Sequence, residues 1–296
     1  TFFDVVKSPL AIRSSSLLED SHYQPFAGIY NTYMSPYLDD KYEMLRMLSD
    51  AIKGVYASVY FRDSKAYMQA TSNVIDQEKM AVILQEVVGN QYGDRYYPSM
   101  SGVARSLNYY PIGDEKAEEG TVNLALGLGK YIVDGGMTLR FSPYHPHQIL
   151  QTSEMEIALK ETQTRFYALR NAGHDFSMDD GFNLLKLHVK EAEKDGALNY
   201  IASTYDPYDQ IIRDGLYPGG RKVITFANIL QHDVFPLARI LQLVLKYGEQ
   251  EMRRPVEIEF AATMSREQDK SGTFYLLQIR PIVDTKEMLD EDLTAI

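Results

Sequence analysis

The 296-residue sequence contains no cysteine and no tryptophan, and it has only 6 histidines. Without cysteine there is no disulfide, no thiolate metal site and no cysteine nucleophile. Basic residues are also scarce, since 30 Lys and Arg stand against 41 Asp and Glu and leave a net charge of -11. A general nucleic-acid binder needs a basic face that displaces counterions from phosphates, so we predict no nucleic-acid partner.

Long apolar runs are missing too. No run approaches the roughly 18 residues of a membrane span, and the first residues lack the pattern of a signal peptide. We therefore expect a soluble, cytoplasmic protein with no membrane partner. Hydrophobic residues make up 45% of the chain, which is enough for a proper core. The abrupt opening, TFFDVVKSPL, leads us to expect part of a longer polypeptide.

The first motif is PLAIRSSSLLED, at residues 9–20. A short apolar segment leads into Arg13, and three serines follow. One interpretation is a strand, a turn and an N-capped helix. The other is a phosphate cradle, in which the arginine meets phosphate and the serines form the turn after it. This stretch alone leaves both interpretations open.

Three segments show strong secondary-structure patterns. Residues 42–60 predict a helix, with an apolar stripe of Leu45, Leu48, Ile52 and Val55. The β-branched run MAVILQEVVG, at residues 80–89, predicts a buried strand. Residues 236–247 have the spacing of a helix with one buried face, with a C-terminal end near Gly248.

A β-hairpin is predicted near the end of the chain, with strands at residues 255–262 and 273–282. Glu257 and Glu259 share one face of the first strand, and Gln278 and Arg280 share one face of the second. If the strands pair antiparallel, these four side chains can lie on one surface. Two neighbouring carboxylates favour a cation such as Mg²⁺, and an arginine beside them favours phosphate. An ordinary solvated charged face is the alternative.

Other motifs give weaker evidence for a function. The segment LALGLGKY is no P-loop, because Leu124 stands where a glycine is needed and Tyr131 replaces the Ser or Thr. His145 and His147 lack a third ligand nearby, which favours a loop over a metal site. There is no Gly-x-Ser-x-Gly elbow to support a serine hydrolase.

The order of several segments resembles the nucleotide-binding domain shared by phosphoenolpyruvate synthase and pyruvate phosphate dikinase. These segments are PLAIRSSSLLEDSHYQPFAGIY, MAVILQEVVG, SGVARS, GLGKYIVDGG, VEIEFA and FYLLQIRP. The resemblance spans most of the chain and is weakest in the middle. It implies an α+β, ATP-grasp-like fold in which two lobes with antiparallel sheets clamp ATP. Residues 1–88 would be the remainder of an incomplete N-terminal lobe, residues 89–284 the C-terminal lobe, and residues 285–296 an acidic tail or linker.

The resemblance also implies roles for residues in both parts of the chain. In the first part, Arg13 would contact the ATP phosphates. Gln85, Glu86 and Val88 would belong to the hinge whose backbone reads adenine.

In the second part, Glu257 and Glu259 match the acidic pair that holds Mg²⁺. Gln278 and Arg280 match the residues that orient the transferring phosphates. With Arg13, these last two are the expected catalytic residues, and ATP and Mg²⁺ are the expected cofactors.

In the family, ATP phosphorylates a histidine on a separate carrier domain, and the phosphoryl group then passes to pyruvate on a third domain. Neither partner domain is found in this sequence. The segment GGMTLR comes close to the carrier motif, but Arg140 stands where its histidine would be. The family's upstream phosphate-binding lysine has no counterpart here. The same nucleotide domain could instead serve a glucan or antibiotic acceptor, or act as a non-catalytic regulatory module.

Overall fold

The computed structural model describes residues 2–16, 30–62, 64–66, 79–173, 176–179, 181–265 and 272–282. They form two compact units. The first contains the described residues of Thr1–Val87 and Leu169–Leu185, and the second contains Val88–Ala168 and those of Lys186–Ile282. The segment predicted as an acidic tail, residues 285–296, lies outside the described residues.

The first unit packs one helix against a small sheet. Its elements are α1 (Phe2–Val5), β1 (Leu10–Ser16), β2 (Tyr33–Ser35), α2 (Lys41–Ser58) and β3 (Met80–Glu86). The sheet has the order β2-β1-β3, with both pairs antiparallel. Helix α2 packs on β1 and β2, and Ile12 and Tyr33 lie fully buried beneath it.

Strand β1 continues through all three serines, so the expectation that they form a turn after Arg13 is wrong. Ser14 pairs with Val82, and Ser16 pairs with Met80 on β3. The ladder to β3 gives the serine backbone groups their hydrogen-bond partners, which a free turn would not. Arg13 therefore lies within a strand rather than at its end.

Helix α2 confirms the predicted helix, but its buried face is shifted from the predicted stripe. Leu48 and Val55 are buried as expected, whereas Leu45 is 55% exposed. Met44 and Met47 are the buried residues of that turn. The side chain of Asp40 caps the helix by accepting hydrogen bonds from two backbone amides of the first turn.

Strand β3 was expected to be a buried strand, and this is wrong. It is an edge strand of the sheet among the described residues, and Ile83 and Leu84 are 47% and 37% exposed. A β-branched run indicates a strand, but the run alone does not say whether a second strand or layer covers it.

The second unit is built from three sheets and several helices. Its elements are β4 (Asn90–Tyr92), β5 (Arg95–Tyr97), β6 (Met100–Arg105), β7 (Thr121–Ala125), α3 (Lys130–Val133), β8 (Leu139–Phe141), α4 (Met155–Lys160), β9 (Arg165–Arg170), β10 (Leu184–His188), α5 (Val189–Lys194), β11 (Ala202–Asp206), β12 (Ile211–Asp214), β13 (Arg221–Ile224), α6 (Ala227–Leu230), α7 (Leu237–Met252), β14 (Val256–Thr263) and β15 (Thr273–Pro281). Strands β9 and β10 each extend into the segment grouped with the first unit. Short 3-10 turns occur at Ala117–Glu119 and Leu150–Thr152.

A five-stranded sheet with the order β15-β14-β6-β7-β8 dominates the second unit, and all its pairs are antiparallel. The other sheets have the orders β10-β9-β5-β4 and β12-β11-β13. The mixture of helices with antiparallel sheets confirms the predicted α+β class, and it is consistent with an ATP-grasp-like fold. No helix in the described ranges has the length and apolarity needed to cross a bilayer.

Helix α7 covers one face of the five-stranded sheet. Its buried side chains are Leu237, Leu241 and Leu245, as the predicted periodicity requires. Gly248 does not end the helix, which continues to Met252. A β-carbon at Gly248 would lie 2.6 Å from Ile279, so the glycine allows the helix to approach β15 closely. The apolar face of the hairpin is therefore the covered face, and its polar residues point to the other side.

Candidate functional site

The hairpin of β14 and β15 brings the predicted polar side chains opposite one another. Glu257 pairs with Arg280, and Glu259 pairs with Gln278, in antiparallel register. Directly opposed residues share one face of a sheet, so these four side chains lie together. Ile258 points the other way and is fully buried. The structure thus has the arrangement that the hairpin pattern allowed.

Glu257 is not solvated, because two arginines bind its carboxylate. Arg105 Nε donates to Oε2 at 2.6 Å, and Arg280 Nε donates to Oε1 at 2.9 Å. Arg280 Nη2 also donates to Oε1. The Glu257 side chain is only 8% exposed, whereas those of Arg105 and Arg280 are 45% and 40% exposed. The carboxylate forms the buried centre of a row whose two cations reach solvent.

The electrostatics of this row favour the ionised carboxylate. Burial by itself raises the pKa of Glu257, because it disfavours the charged form. The charges and hydrogen bonds of Arg280 and Arg105 outweigh that effect, and the net result is a pKa below the ordinary glutamate value. Glu257 is therefore held as an anion between two cations.

Strand β6 supplies Arg105, which the sequence analysis missed. Arg105 lies opposite Glu257 in the ladder between β6 and β14. The ladder continues through Val103, opposite Glu259, to Asn123 on β7 and Arg140 on β8. One face of the five-stranded sheet thus carries polar side chains from one edge strand to the other. We call this surface, made of Arg105, Asn123, Arg140, Glu257, Glu259, Gln278 and Arg280, the polar sheet face.

Arg140 ends the polar sheet face in a structural ion pair. Its Nη1 and Nη2 donate to the two carboxylate oxygens of Glu115 at 2.9 and 2.6 Å. Burial raises the pKa of Glu115, but the bonds from Arg140 and from the backbone of Ile112 bring it below its ordinary value. Asn108 also donates to Glu115, at 2.9 Å. The arginine that stands in place of a carrier histidine therefore anchors the loop between β6 and β7.

Close packing under the polar sheet face holds β6 against β14. A β-carbon at Gly102 would lie 2.2 Å from the ring of Phe260, which is itself fully buried and stacked on Phe274. A β-carbon at this crossing point would overlap the ring, so Gly102 allows β6 and β14 to pack closely. The loop after β7 is tied to this strand by Ser101 Oγ, which donates to the Gly127 carbonyl at 2.5 Å.

The predicted site residues of the first unit lie on its sheet. Arg13 Nη1 donates to Gln85 Oε1 at 3.1 Å, across the β1–β3 pair. Ser8 Oγ donates to the Glu86 carboxylate. The described contacts thus bring Arg13, Gln85 and Glu86 together at one sheet, while Val88 begins the second unit. Their roles toward a nucleotide stay predictions.

The donor set of the polar sheet face fits a hard cation. No group of three or more His, Cys, Asp or Glu able to hold a metal occurs within the described ranges. Two carboxylates and an amide oxygen are nevertheless ligands of the type that Mg²⁺ takes when phosphates complete its shell. Glu257 accepts three N–H bonds of the roughly four that a carboxylate can accept, which leaves about one acceptor position for a cation. His145, for which the sequence favoured a loop over a metal site, makes a separate contact, in which its Nε2 lies 2.9 Å from the Glu119 carboxylate.

Comparison with known proteins identifies a family and one relative. The family model described as "Pyruvate phosphate dikinase, AMP/ATP-binding domain" matches residues 3–295. Over 129 residues, or 44% of this chain, the sequence is 27% identical to the "Uncharacterized phosphotransferase YvkC" of Bacillus subtilis (strain 168). That stretch is 14% of the relative's length, so the chain spans only a small part of it.

Proposed function

Since this chain belongs to the family of pyruvate phosphate dikinase AMP/ATP-binding domains, we propose that it uses ATP to phosphorylate a histidine on a separate carrier domain. A histidine nitrogen would form a bond to a phosphorus of ATP while the bond from that phosphorus to the rest of the nucleotide breaks. On a further domain the phosphoryl group would then pass to the enolate oxygen of pyruvate, which forms phosphoenolpyruvate and releases the histidine. Family membership supports ATP binding and ATP-dependent phosphoryl transfer, and the relative's name as a phosphotransferase agrees with it. The identity of the acceptors, a histidine and then pyruvate, is our proposal and goes beyond what family membership supports.

The observation that carries the proposal is the polar sheet face. Phosphoryl transfer depends on positioning the phosphates and neutralising their charge, with little covalent chemistry for the protein to do. Glu257 binds Arg280 through Nε and Nη2, which leaves the outer Nη1 for a phosphate oxygen. Gln278, opposite Glu259, supplies an uncharged amide donor beside it. These residues bind and orient the phosphates.

Glu257 and Glu259 are our proposed Mg²⁺ ligands, with Gln278 next to them. When bound, Mg²⁺ would neutralise phosphate charge that the arginines leave uncompensated. In the first unit, Arg13 is the proposed phosphate contact. Gln85, Glu86 and Val88 are the proposed adenine-reading hinge, which lies where β3 ends.

Calorimetric titration of ATP into this chain, with and without Mg²⁺, tests the proposal. We expect binding by the wild type, a loss of at least about tenfold in Arg280→Ala, and a loss of the Mg²⁺ dependence in Glu259→Gln. Arg239→Ala, an exposed arginine on α7, is the matched control and keeps its affinity. If the wild type does not bind ATP, or if Arg280→Ala binds like the control, the proposal is wrong.

A further inference from the structure

The second arginine of the row has unused donors. Arg105 contacts Glu257 through Nε alone, although its two Nη groups form the outer end of the fork. No hydrogen bond from these Nη groups is found within the described part of the chain, and the side chain is 45% exposed. If Arg105 only neutralised the buried carboxylate, a bidentate pair would give the stronger interaction, because two parallel N–H bonds would then face the two oxygens. The two Nη groups of Arg105 instead stay available to donate hydrogen bonds to another acceptor.

Arg280 has the same arrangement on the other side of the carboxylate. It uses Nε and Nη2 for Glu257 Oε1, and it leaves Nη1 without a partner within the described residues. The two guanidinium groups bind different oxygens of one carboxylate, so Glu257 spaces them and keeps them from repelling each other. The two cations and one anion of the row leave a charge of +1. Such a row attracts an oxyanion to the exposed ends of the arginines.

Rigid neighbours keep this arrangement in place. The Gly102–Phe260 contact presses β6 onto β14 on the covered face, and the ladder sets Arg105 opposite Glu257. On the next pair along the hairpin, Glu259 adds a negative charge. Glu259 is one of the two carboxylates that we propose for Mg²⁺, so the cation-rich row and a metal ligand lie side by side. A polyphosphate that carries Mg²⁺ has the charge pattern to match both.

We propose that Arg105 and Arg280 form a two-arginine site for the terminal phosphates of the nucleotide, with Glu257 as the spacer between them. This inference rests on the proposed function and deepens it. Arg105 becomes a phosphate-binding residue in its own right, and the main work of Glu257 is to position two guanidinium groups. Arg280 and Arg105 then hold different phosphate oxygens.

The test compares three probes on this chain by calorimetry: Mg²⁺-ATP, tripolyphosphate and adenosine. In Arg105→Gln we expect the affinity for ATP and for tripolyphosphate to fall by at least about tenfold, as for loss of a charge-assisted hydrogen bond. Adenosine binding stays within about twofold of the wild type, because it carries no phosphate. Arg239→Gln is the control for the loss of one positive charge, and thermal unfolding of each variant checks its fold.

A conservative variant separates charge from geometry. Arg105→Lys keeps the cation but loses the planar fork, so we expect an intermediate loss of at least about threefold for both phosphate probes. If Arg105→Gln folds and binds both probes like Arg239→Gln, the inference is wrong. If Arg105→Gln does not fold, an Arg105→Lys variant that binds both probes like the wild type overturns it as well.

The same data separate this inference from the proposed function. If Arg280→Ala loses ATP binding while the Arg105 variants do not, the inference alone fails. If the wild type binds neither ATP nor tripolyphosphate, both fail.

Discussion

Glu257 shows how a single carboxylate joins three strands. It lies on β14 and binds one arginine from β6 and one from β15. Removing one partner of a buried, hydrogen-bonded charge pair leaves the other charge poorly compensated, which is costly. The stability of the hairpin against β6 should therefore depend on the ionisation of this residue.

We predict that Glu257→Gln reduces both the stability of the fold at neutral pH and its sensitivity to acid. The native pKa of Glu257 is lower than normal, so its carboxylate stabilises the native state above the pKa of the unfolded chain. That contribution is lost as the pH falls through the native pKa. We expect the variant to lose about 1–3 kcal/mol at pH 7 and progressively less than that in acid. Urea unfolding at several pH values measures this difference.

Glu249→Gln, an exposed glutamate on α7, is the control for this experiment. Its unfolding should follow that of the wild type at each pH. Equal pH dependence in the wild type and in Glu257→Gln would contradict the ionic role of Glu257.

At the residue scale the sequence revealed the hairpin partners and missed the third strand. Strand periodicity places Glu257 with Glu259 on one face of β14 and Gln278 with Arg280 on one face of β15. The β-bulge between Glu259 and Phe260 sets the register that brings the two pairs together, and the sequence did not predict it. Arg105 is 152 residues away from Glu257. Its contact depends on which strand lies beside β14, and local pattern carries no such information.

At the scale of helices and strands, the sequence predicted the type of an element better than it predicted which of its residues are buried. The spacing in α2 indicated a helix, yet Leu45 lies outside the buried face and Met44 lies inside it. Both are apolar, and only the position of the sheet beneath the helix distinguishes them. The same reason explains β3, whose composition indicates a strand but whose place at the sheet edge comes from the tertiary pairing.

The crossing of β6 and β14 offers a prediction at the element scale. We expect Gly102→Ala to destabilise the protein by about 1–3 kcal/mol, because the new methyl group overlaps the buried Phe260 ring. The ring has little freedom to move away, since it stacks on Phe274 with centroids 5.2 Å apart. The midpoint of denaturant unfolding measures the loss.

Gly129→Ala is the matched control for Gly102→Ala. A β-carbon at Gly129 would lie 3.7 Å from Ser101, an ordinary van der Waals distance. We expect a change of no more than about 0.5 kcal/mol for this variant. If both alanine variants unfold at the same midpoint, the close approach at Gly102 does not stabilise the crossing.

At the scale of the whole molecule, each unit has its own buried core. Ile12 and Tyr33 are central to the core of the first, and Phe141 and Ile258 belong to that of the second. The hairpin and the opening motif allowed the family to be recognised from the sequence. The inclusion of Leu169–Leu185 in the first unit was not predicted, because the polar middle of the chain has no strong periodicity.

The charge of the whole molecule and the charge of the polar sheet face have opposite signs. A net charge of -11 repels polyanions in general. Locally, however, Arg105 and Arg280 outnumber the carboxylate between them. The net charge is the basis of our prediction that there is no nucleic-acid partner, and the local positive charge favours a small phosphate ligand such as the ATP of phosphoryl transfer.

The most direct test of this account is to find where the phosphoryl group goes. The experiment would use the polypeptide at the length at which cells produce it, incubated with Mg²⁺ and with ATP that is radiolabelled in its β- or γ-phosphate. The labelled protein would then be treated with acid and with alkali. We predict a label that is lost in acid and stable in alkali, as phosphohistidine is, and that is absent in Arg280→Ala. No label, or a label that survives acid as phosphoserine does, would contradict phosphoryl transfer to a histidine.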